Sequence, residues 1–384
     1  MGYKMSEKKK VVYTVCNTNY LHFALTLMHS TLILEDIDRY IILADGKRKV
    51  IKYSGVEIQI VPLKDVMLAE DYEIVRYRNI IELCTAGKPF AAKYLLNEYE
   101  DVSYFDPDIY IYTKEAIPDL QNHSAKIVMT PHYVDFDGLK NDYPEMSKYG
   151  VYNMGYIRVV KSPGVDRLLD WWADYNLQNC FDDTTSDVFT DQKIMDFVPA
   201  LFSNVYIDRD KRKNVAYWNF SERVKDCKIF DPIFVHWSSK NLKNSDVLAN
   251  KSEIIISDRW REMSAEYNKI ASKNFGLFVS DVLDSDEDTF NYHNPILSRI
   301  LSFSNELDGD EKKLMAKKSS LKPKKSINAK NIRSKRMYRH VQAVVRLAIS
   351  AIGFDAVYSA SRIAKYISRP DVLSSIVLEK KYTK

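Results

Sequence analysis

Asp106 and Asp108 stand one residue apart where one apolar run (Val102, Tyr104, Phe105) ends and another, Ile109-Tyr110-Ile111-Tyr112, begins. Pro107 between them fixes the local backbone. Bare carboxylates are costly to bury in such surroundings, so a divalent cation held by oxygen ligands is the natural partner. Mg²⁺ takes one or two carboxylates and leaves its other positions to water and phosphate oxygens, and Mn²⁺ suits similar ligands. The same residues also suit an ordinary strand-end turn, since Asp and Pro both favour turns. Lys88 sits beside Pro89 at the start of a helical segment, where a phosphate would find a helix N-terminus. His236 and His132 each follow an apolar strand.

Elements must position these groups. Val11–Cys16, Tyr40–Ala44, Val56–Val61, Ile127–His132 and Tyr152–Val160 read as strands. Leu21–Leu34, Ile74–Leu96 (interrupted at Gly87-Lys88-Pro89) and Val165–Tyr175 read as helices. Asn214–Asn219 and Ile233–Trp237 read as two further short strands, and Asp191-Gln192 precedes a helix start at Lys193–Phe197. The strand–helix–strand rhythm predicts an α/β fold with a mainly parallel sheet. Ligands of such sheets sit beyond the carboxyl ends of the strands, which would gather Cys16–Tyr20, Asp45, Asp106 and Asp108 on one edge.

Composition narrows the chemistry. The chain has 384 residues, 46% hydrophobic and 28% charged, as in a soluble globular protein. It holds 11 glycines and has neither a G-x-G-x-x-G nor a P-loop pattern, so a phosphate would be met by a metal and lysines rather than by a glycine cradle. Its four cysteines, Cys16, Cys84, Cys180 and Cys227, form no C-x-x-C pair. They fit free thiols in a reducing compartment, and with no secretory h-region the expected location is cytoplasmic.

Taken in order, Phe105-Asp106-Pro107-Asp108, Thr130-Pro131-His132, Tyr152-Asn153-Met154-Gly155-Tyr156, Asp191-Gln192, Asn214–Asn219 and Val235-His236-Trp237-Ser238 resemble a family. It is the family 8 retaining glycosyltransferases of GT-A fold, in a variant like those that build bacterial surface polysaccharides. The resemblance covers residues 10–245. It implies a Rossmann-like nucleotide-diphospho-sugar transferase domain over 11–245 with a mainly helical C-terminal extension. It also implies Mn²⁺ or Mg²⁺ on Asp106, Asp108 and His236, and a nucleotide-sugar donor, uridine-linked as a rule. Thr14, Cys16, Asn17, Tyr20 and Asp45 would hold the nucleoside. Lys88 and Asp106 would face the donor, with Lys240 or Lys243 covering for the family's lysine. Asn153, Asp191 and Gln192 would contact the transferred sugar or the acceptor, Gln192 near the anomeric carbon, where the family uses a weak nucleophile or none. His132 and Trp237 would lie on the acceptor side, toward a glycan or lipid-linked glycan. Retention comes from the family alone. Serine replaces the family's glycine at Ser239, and Leu242 stands where its lysine is expected. A nucleotide-sugar hydrolase and a non-catalytic binding module are the alternatives.

The remaining segments read as a disordered N-terminus (1–10), a helical acceptor-side subdomain (246–310), a basic linker (311–340) and a helical tail (341–384). Residues 311–384 carry 19 Lys/Arg against 4 acids, so the net charge of +4 leaves the body strongly negative. A basic stretch followed by the apolar Val341–Ile367 fits a peripheral anchor on an anionic membrane surface. It also fits a helix packed on the body or in an oligomer interface. Nucleic-acid binding lacks any supporting signature.

Overall fold

The computed structural model describes residues 9–76, 78–120, 124–139, 143–184, 188–224, 231–238 and 258–283. In chain order they include β1 (Lys10–Cys16), α1 (Leu21–Ser30), β2 (Ile37–Leu43), β3 (Lys49–Tyr53), β4 (Val56–Pro62), α2 (Ala69–Val75) and α3 (Ile80–Ala86). Next come α4 (Lys88–Leu95), β5 (Asp101–Phe105), β6 (Ile109–Ile111), β7 (Ile127–Pro131), α5 (Phe136–Leu139), α6 (Tyr143–Tyr149) and β8 (Tyr152–Val160). Last are α7 (Pro163–Asn179), α8 (Val198–Leu201), β9 (Val205–Ile207), α9 (Phe220–Val224), β10 (Phe234–His236) and α10 (Asp258–Asn274).

The chain forms two compact units, one of residues 1–67, 84–181 and 189–288 and the other of 68–83, 182–188 and 289–384. In the first, a sheet runs in the order β9-β7-β8-β5-β1-β2-β4-β3. The central strands β5, β1, β2 and β4 are parallel, while β8 and β3 run against their neighbours. This is the α/β class expected from the sequence. β1 is buried on both faces, as a central parallel strand should be. Val12 and Cys16 join the core under Leu21, Ala24, Leu25 and Met28 of α1. Tyr13 points the other way, and its hydroxyl donates to Lys88 O of α4 at 2.9 Å.

α1 stops at Ser30, short of the expected Leu34. The Ser30 and Thr31 hydroxyls donate to Leu27 O and Met28 O at 2.7 Å, and a 3-10 turn follows. Such back-bonding competes with regular helix. The segment from Ile74 to Leu96 is broken twice. Besides the break at Gly87, α3 begins afresh after Asn79, whose Oδ1 accepts from Glu82 N at 3.0 Å. At Gly87 a Cβ would lie 2.5 Å from Leu63 Cδ1, so a larger residue there would push the Leu63 side chain aside. The described part of the second unit holds α2, the start of α3 and residues 182–184 and 188. There the Glu82 carboxylate accepts from Asp182 N at 3.0 Å.

Asn214–Asn219 is not the strand its composition suggested. Asn219 folds it into a turn, its Oδ1 accepting from Ala216 N (2.9 Å) and its Nδ2 donating to Asn214 O (3.0 Å), with Asn214 at φ +52°. Only Val215 reaches a strand partner, Val235. β10 pairs antiparallel with β6, setting His236 opposite Ile109. α10 lies against α1, where Asn274 Nδ2 donates to Thr26 Oγ1 at 3.0 Å. A second apolar cluster gathers Trp260 and Tyr267 of α10 around Trp237 and Tyr110. Among the described residues no helix is long and apolar enough to cross a membrane. Lys240, residues 1–8, the linker 311–340 and the tail 341–384 lie outside the described residues.

Candidate active site

The expected gathering at one sheet edge follows from strand direction. Parallel register sets Cys16 beside Leu43 and Tyr13 beside Tyr104, so β1, β2 and β5 all end on the same side. β8 runs the other way and therefore brings its beginning there, with Tyr156 opposite Phe105. Asp106 N donates to Gly155 O at 2.8 Å, and Ile109 N closes the Asp106-Pro107-Asp108 turn on Asp106 O at 3.0 Å. β7 ends beside them at Thr130–His132.

At this edge Asp106, Asp108 and His236 each offer a ligand atom, all within 4.8 Å of one another. His236 Nε2 stands 3.1 Å from Asp108 Oδ1 and 3.5 Å from Asp106 Oδ2. Two carboxylates and an imidazole form a donor set that could hold a divalent metal ion. Burial alone would lower the His236 pKa, but Asp108 and then Asp106 outweigh it and hold the ring's pKa above its usual value. A cation bound through this imidazole competes with a proton for the ring, so affinity for it should rise with pH. Mn²⁺ titrations followed by electron paramagnetic resonance at pH 6 and pH 8 check this. The expected gain approaches tenfold per pH unit while His236 stays protonated, and equal affinities at the two values would contradict it.

Lys88 is not solvated. Its Nζ is buried 3.4 Å from Asp106 Oδ1, 3.3 Å from Asp191 Oδ2 and 3.0 Å from Met154 O. Burial lowers its pKa, but Asp106 and Asp191 outweigh that and raise it. Asp191 is itself fully enclosed, and desolvation, only partly offset by Lys88, pushes its carboxyl up to about 6. The Trp172 indole N–H donates to Asp191 O at 2.8 Å and so pins this segment to α7.

A buried amide network continues from there. Gln192 Oε1 accepts from Met154 N (3.0 Å) and Asn153 Nδ2 (3.2 Å), and its Nε2 donates to Tyr149 O (2.8 Å). Asn153 Oδ1 accepts from Gly155 N (3.0 Å) and Asn214 Nδ2 (3.1 Å). His132 donates from Nδ1 to Gly150 O at 2.9 Å, which leaves Nε2 to accept from Asn153 Nδ2 at 3.3 Å. Burial drops the His132 pKa to about 4, so the ring is neutral.

Other expected residues are placed differently. Trp237 is 1% exposed, stacked on Tyr267 at 5.2 Å and beside Trp260 at 5.1 Å. It belongs to the aromatic cluster and offers no face to an acceptor. The Cys16 thiol lies in the core, its pKa pushed far up by burial, and Cys16 O accepts from Ala44 N. Asp45 spends both carboxylate oxygens on Thr18, from its N at 2.8 Å and its Oγ1 at 2.7 Å, bracing the loop after β1. Asn17 caps Tyr20 N, Tyr20 is half exposed, and Thr14 Oγ1 is buried without a hydrogen-bond partner among the described residues. Sequence reasoning missed Tyr104, Gly155 and Trp218. The Trp218 ring stands edge-on to both His132 (5.5 Å) and His236 (5.4 Å), next to the exposed Tyr217.

No protein-family model matches the chain. An uncharacterized Bacillus subtilis (strain 168) protein, YfnF, is 25% identical over 245 residues, covering 59% of this chain and 80% of that protein. Similar solved structures include the galactosyltransferase LgtC in complex with donor and acceptor sugar analogs. It is 15% identical, with 67% of this chain and 95% of that chain covered and a TM-score of 0.39. The apo form of the glycosyltransferase GlyE of Streptococcus pneumoniae TIGR4 is 12% identical, covering 70% and 63%, with a TM-score of 0.37. A glycosyltransferase involved in glycosylation of the major capsid of PBCV-1 is also 12% identical, covering 64% and 100%, with a TM-score of 0.35. At these scores the likeness assigns no residue a role.

Proposed function

We propose that this chain is a metal-dependent glycosyltransferase of GT-A type. It would move a sugar from a nucleotide donor, UDP-linked by the sequence resemblance, to a glycan or glycolipid acceptor with retention. The observation that carries the reading is the meeting of Asp106, Asp108 and His236 at the carboxyl ends of parallel strands, with the buried Lys88 against Asp106. Asp106, Asp108 and His236 would hold Mn²⁺ or Mg²⁺, whose charge, when bound, stabilises a departing nucleoside diphosphate. The loop after β1, with Asn17 and Tyr20, would hold the nucleoside. Asp191, Asn153 and Gln192 would face the transferred sugar. Both hydrogen bonds accepted by Gln192 Oε1 draw on the lone pairs an attack would need. Gln192 therefore orients Asn153 and the Met154 backbone in this reading rather than attacking the anomeric carbon. The half-buried Trp218 and the exposed Tyr217 replace Trp237 on the acceptor side. Peripheral attachment to a membrane surface through residues 311–367 is supported by the sequence alone.

The test is a donor screen: UDP-, GDP-, CMP- and dTDP-sugars with Mn²⁺, scoring nucleotide release with and without crude glycan acceptors, beside Asp108→Asn. The expected result is metal-dependent release with one donor, stimulated by acceptor and lost in the variant. Release indifferent to acceptor would make the protein a nucleotide-sugar hydrolase. Failure to bind any donor with or without metal would end the proposal.

A further inference from the structure

Tyr104 lies two residues before Asp106 and is almost fully buried. Its hydroxyl donates to Asp106 Oδ1 at 2.5 Å, and Lys88 Nζ sits 4.7 Å from the centroid of its ring. The ring is braced by Tyr13 at 5.0 Å, whose own hydroxyl holds the Lys88 backbone. One side chain therefore touches both the carboxylate at the cluster and the lysine behind it. The two Asp106 oxygens are thereby made unequal. Oδ1 is engaged by Tyr104 and Lys88, whereas Oδ2 faces His236 Nε2 at 3.5 Å. Asp108 Oδ1 faces the same imidazole nitrogen at 3.1 Å.

We infer that Tyr104 is a positioning residue for the cation site: it reserves Asp106 Oδ1 for the protein and turns Oδ2 toward the ion. This rests on the reading of Asp106, Asp108 and His236 as ligands. Groups that hydrogen-bond a metal-binding carboxylate fix its orientation, and their loss usually weakens metal binding by about 10–100-fold. The aromatic face under Lys88 is a separate contribution, because a cation over a ring is held by the ring's quadrupole and not by the hydroxyl. Tyr104→Phe keeps that face and removes only the hydrogen bond.

The experiment is Mn²⁺ binding to the full chain without nucleotide, by electron paramagnetic resonance, for wild type, Tyr104→Phe and Tyr156→Phe. Tyr156 carries a buried hydroxyl on the neighbouring strand with no hydrogen-bond partner among the described residues. Its removal tests whether losing any buried phenol in this layer disturbs the site. Circular dichroism and thermal melting verify that both variants fold. The expected result is a Kd about 10–100-fold higher for Tyr104→Phe, with Tyr156→Phe at the wild-type value. A Tyr104→Phe Kd within twofold of wild type, or an equal weakening in both variants, would overturn the positioning role. Wild-type protein that binds no Mn²⁺ would instead remove the metal reading on which the inference stands.

Discussion

Lys88→Met should lower stability at pH 7.5 by about 3–5 kcal/mol, because it strips a buried charge cluster of its only lysine partner among the described contacts. Asp106 and Asp191 would be left facing each other's charge, with Met154 O losing its donor. The loss should depend on pH in a definite direction. In the wild type the Asp191 carboxyl is raised from 3.8 to about 6 by burial. The folded state thus keeps a proton that the unfolded chain has released, and this group costs stability as pH rises between those values. Without Lys88 that carboxyl rises further and picks up a proton more easily. The Lys88→Met deficit should therefore shrink on going from pH 7.5 to pH 5.5. Lys88→Arg, which keeps the charge, should lose much less. Urea unfolding with EDTA at both pH values measures all three proteins. A deficit that is pH-independent, or largest in acid, would mean that Asp191 and Lys88 do not share their charge in the folded protein. In the proposed sugar transfer, activity should fall about 100-fold or more in Lys88→Met, since a positive charge would be lost beside the departing diphosphate.

The sequence made the strands of the sheet centre legible because buried parallel strands are continuous apolar runs bounded by polar turns. Val11–Cys16, Tyr40–Ala44 and Val56–Val61 differ from β1, β2 and β4 by only a few residues. From their direction alone it followed that Asp45 and the Asp106/Asp108 pair would share an edge. The edge strand β3 was not legible: Lys49-Val50-Ile51-Lys52-Tyr53 is short and half polar, and it exists because β4 offers it a ladder. The Asn214–Asn219 turn was missed for a related reason. Val215, Ala216, Tyr217 and Trp218 have strand-like composition, but Asn219 folds back onto Asn214 and Ala216.

The site was legible as a list of residues but not as a set of contacts. Asp106 and Asp108 were marked by two acids in an apolar run, and His236 by its place after a strand. What joins them is the pairing of β6 with β10, whose register puts Ile109 opposite His236 across more than a hundred residues of chain. No local pattern encodes that register. Trp237 was expected on the acceptor side from the resemblance. Strand alternation sends it to the opposite side, into the cluster with Trp260 and Tyr267. Tyr104 was within reach of the same argument, since residues two apart on an extended chain share a face.

Gly155→Ala should damage the cation site more than its single added methyl suggests. A Cβ at Gly155 would stand 2.7 Å from Asn153 Oδ1 and 2.8 and 2.9 Å from Cε1 and Nδ1 of His236. Neither neighbour can retreat cheaply. Asn153 is tied by its oxygen to Gly155 N and Asn214 and by its nitrogen to Gln192 and His132. His236 is fixed by β10 and by its backbone N–H on Val215 O at 2.8 Å. The ring must tilt away from the carboxylates, or β8 must draw back from the Asp106 turn, whose N–H is held by Gly155 O. Overpacking of this kind costs about 1–3 kcal/mol, a modest loss for the fold. For the site the shift matters more, because a displacement of about 1 Å in a catalytic group can cost about 100-fold in rate. The expected result is a folded protein with a slightly lower melting temperature, Mn²⁺ affinity reduced about 10–100-fold, and turnover reduced further. Gly164→Ala is the comparison, since the nearest atom to its Cβ is 4.0 Å away. If Gly155→Ala bound Mn²⁺ as Gly164→Ala does, His236 would not be held by the close approach of β8, and the ligand geometry would have to be set from another side.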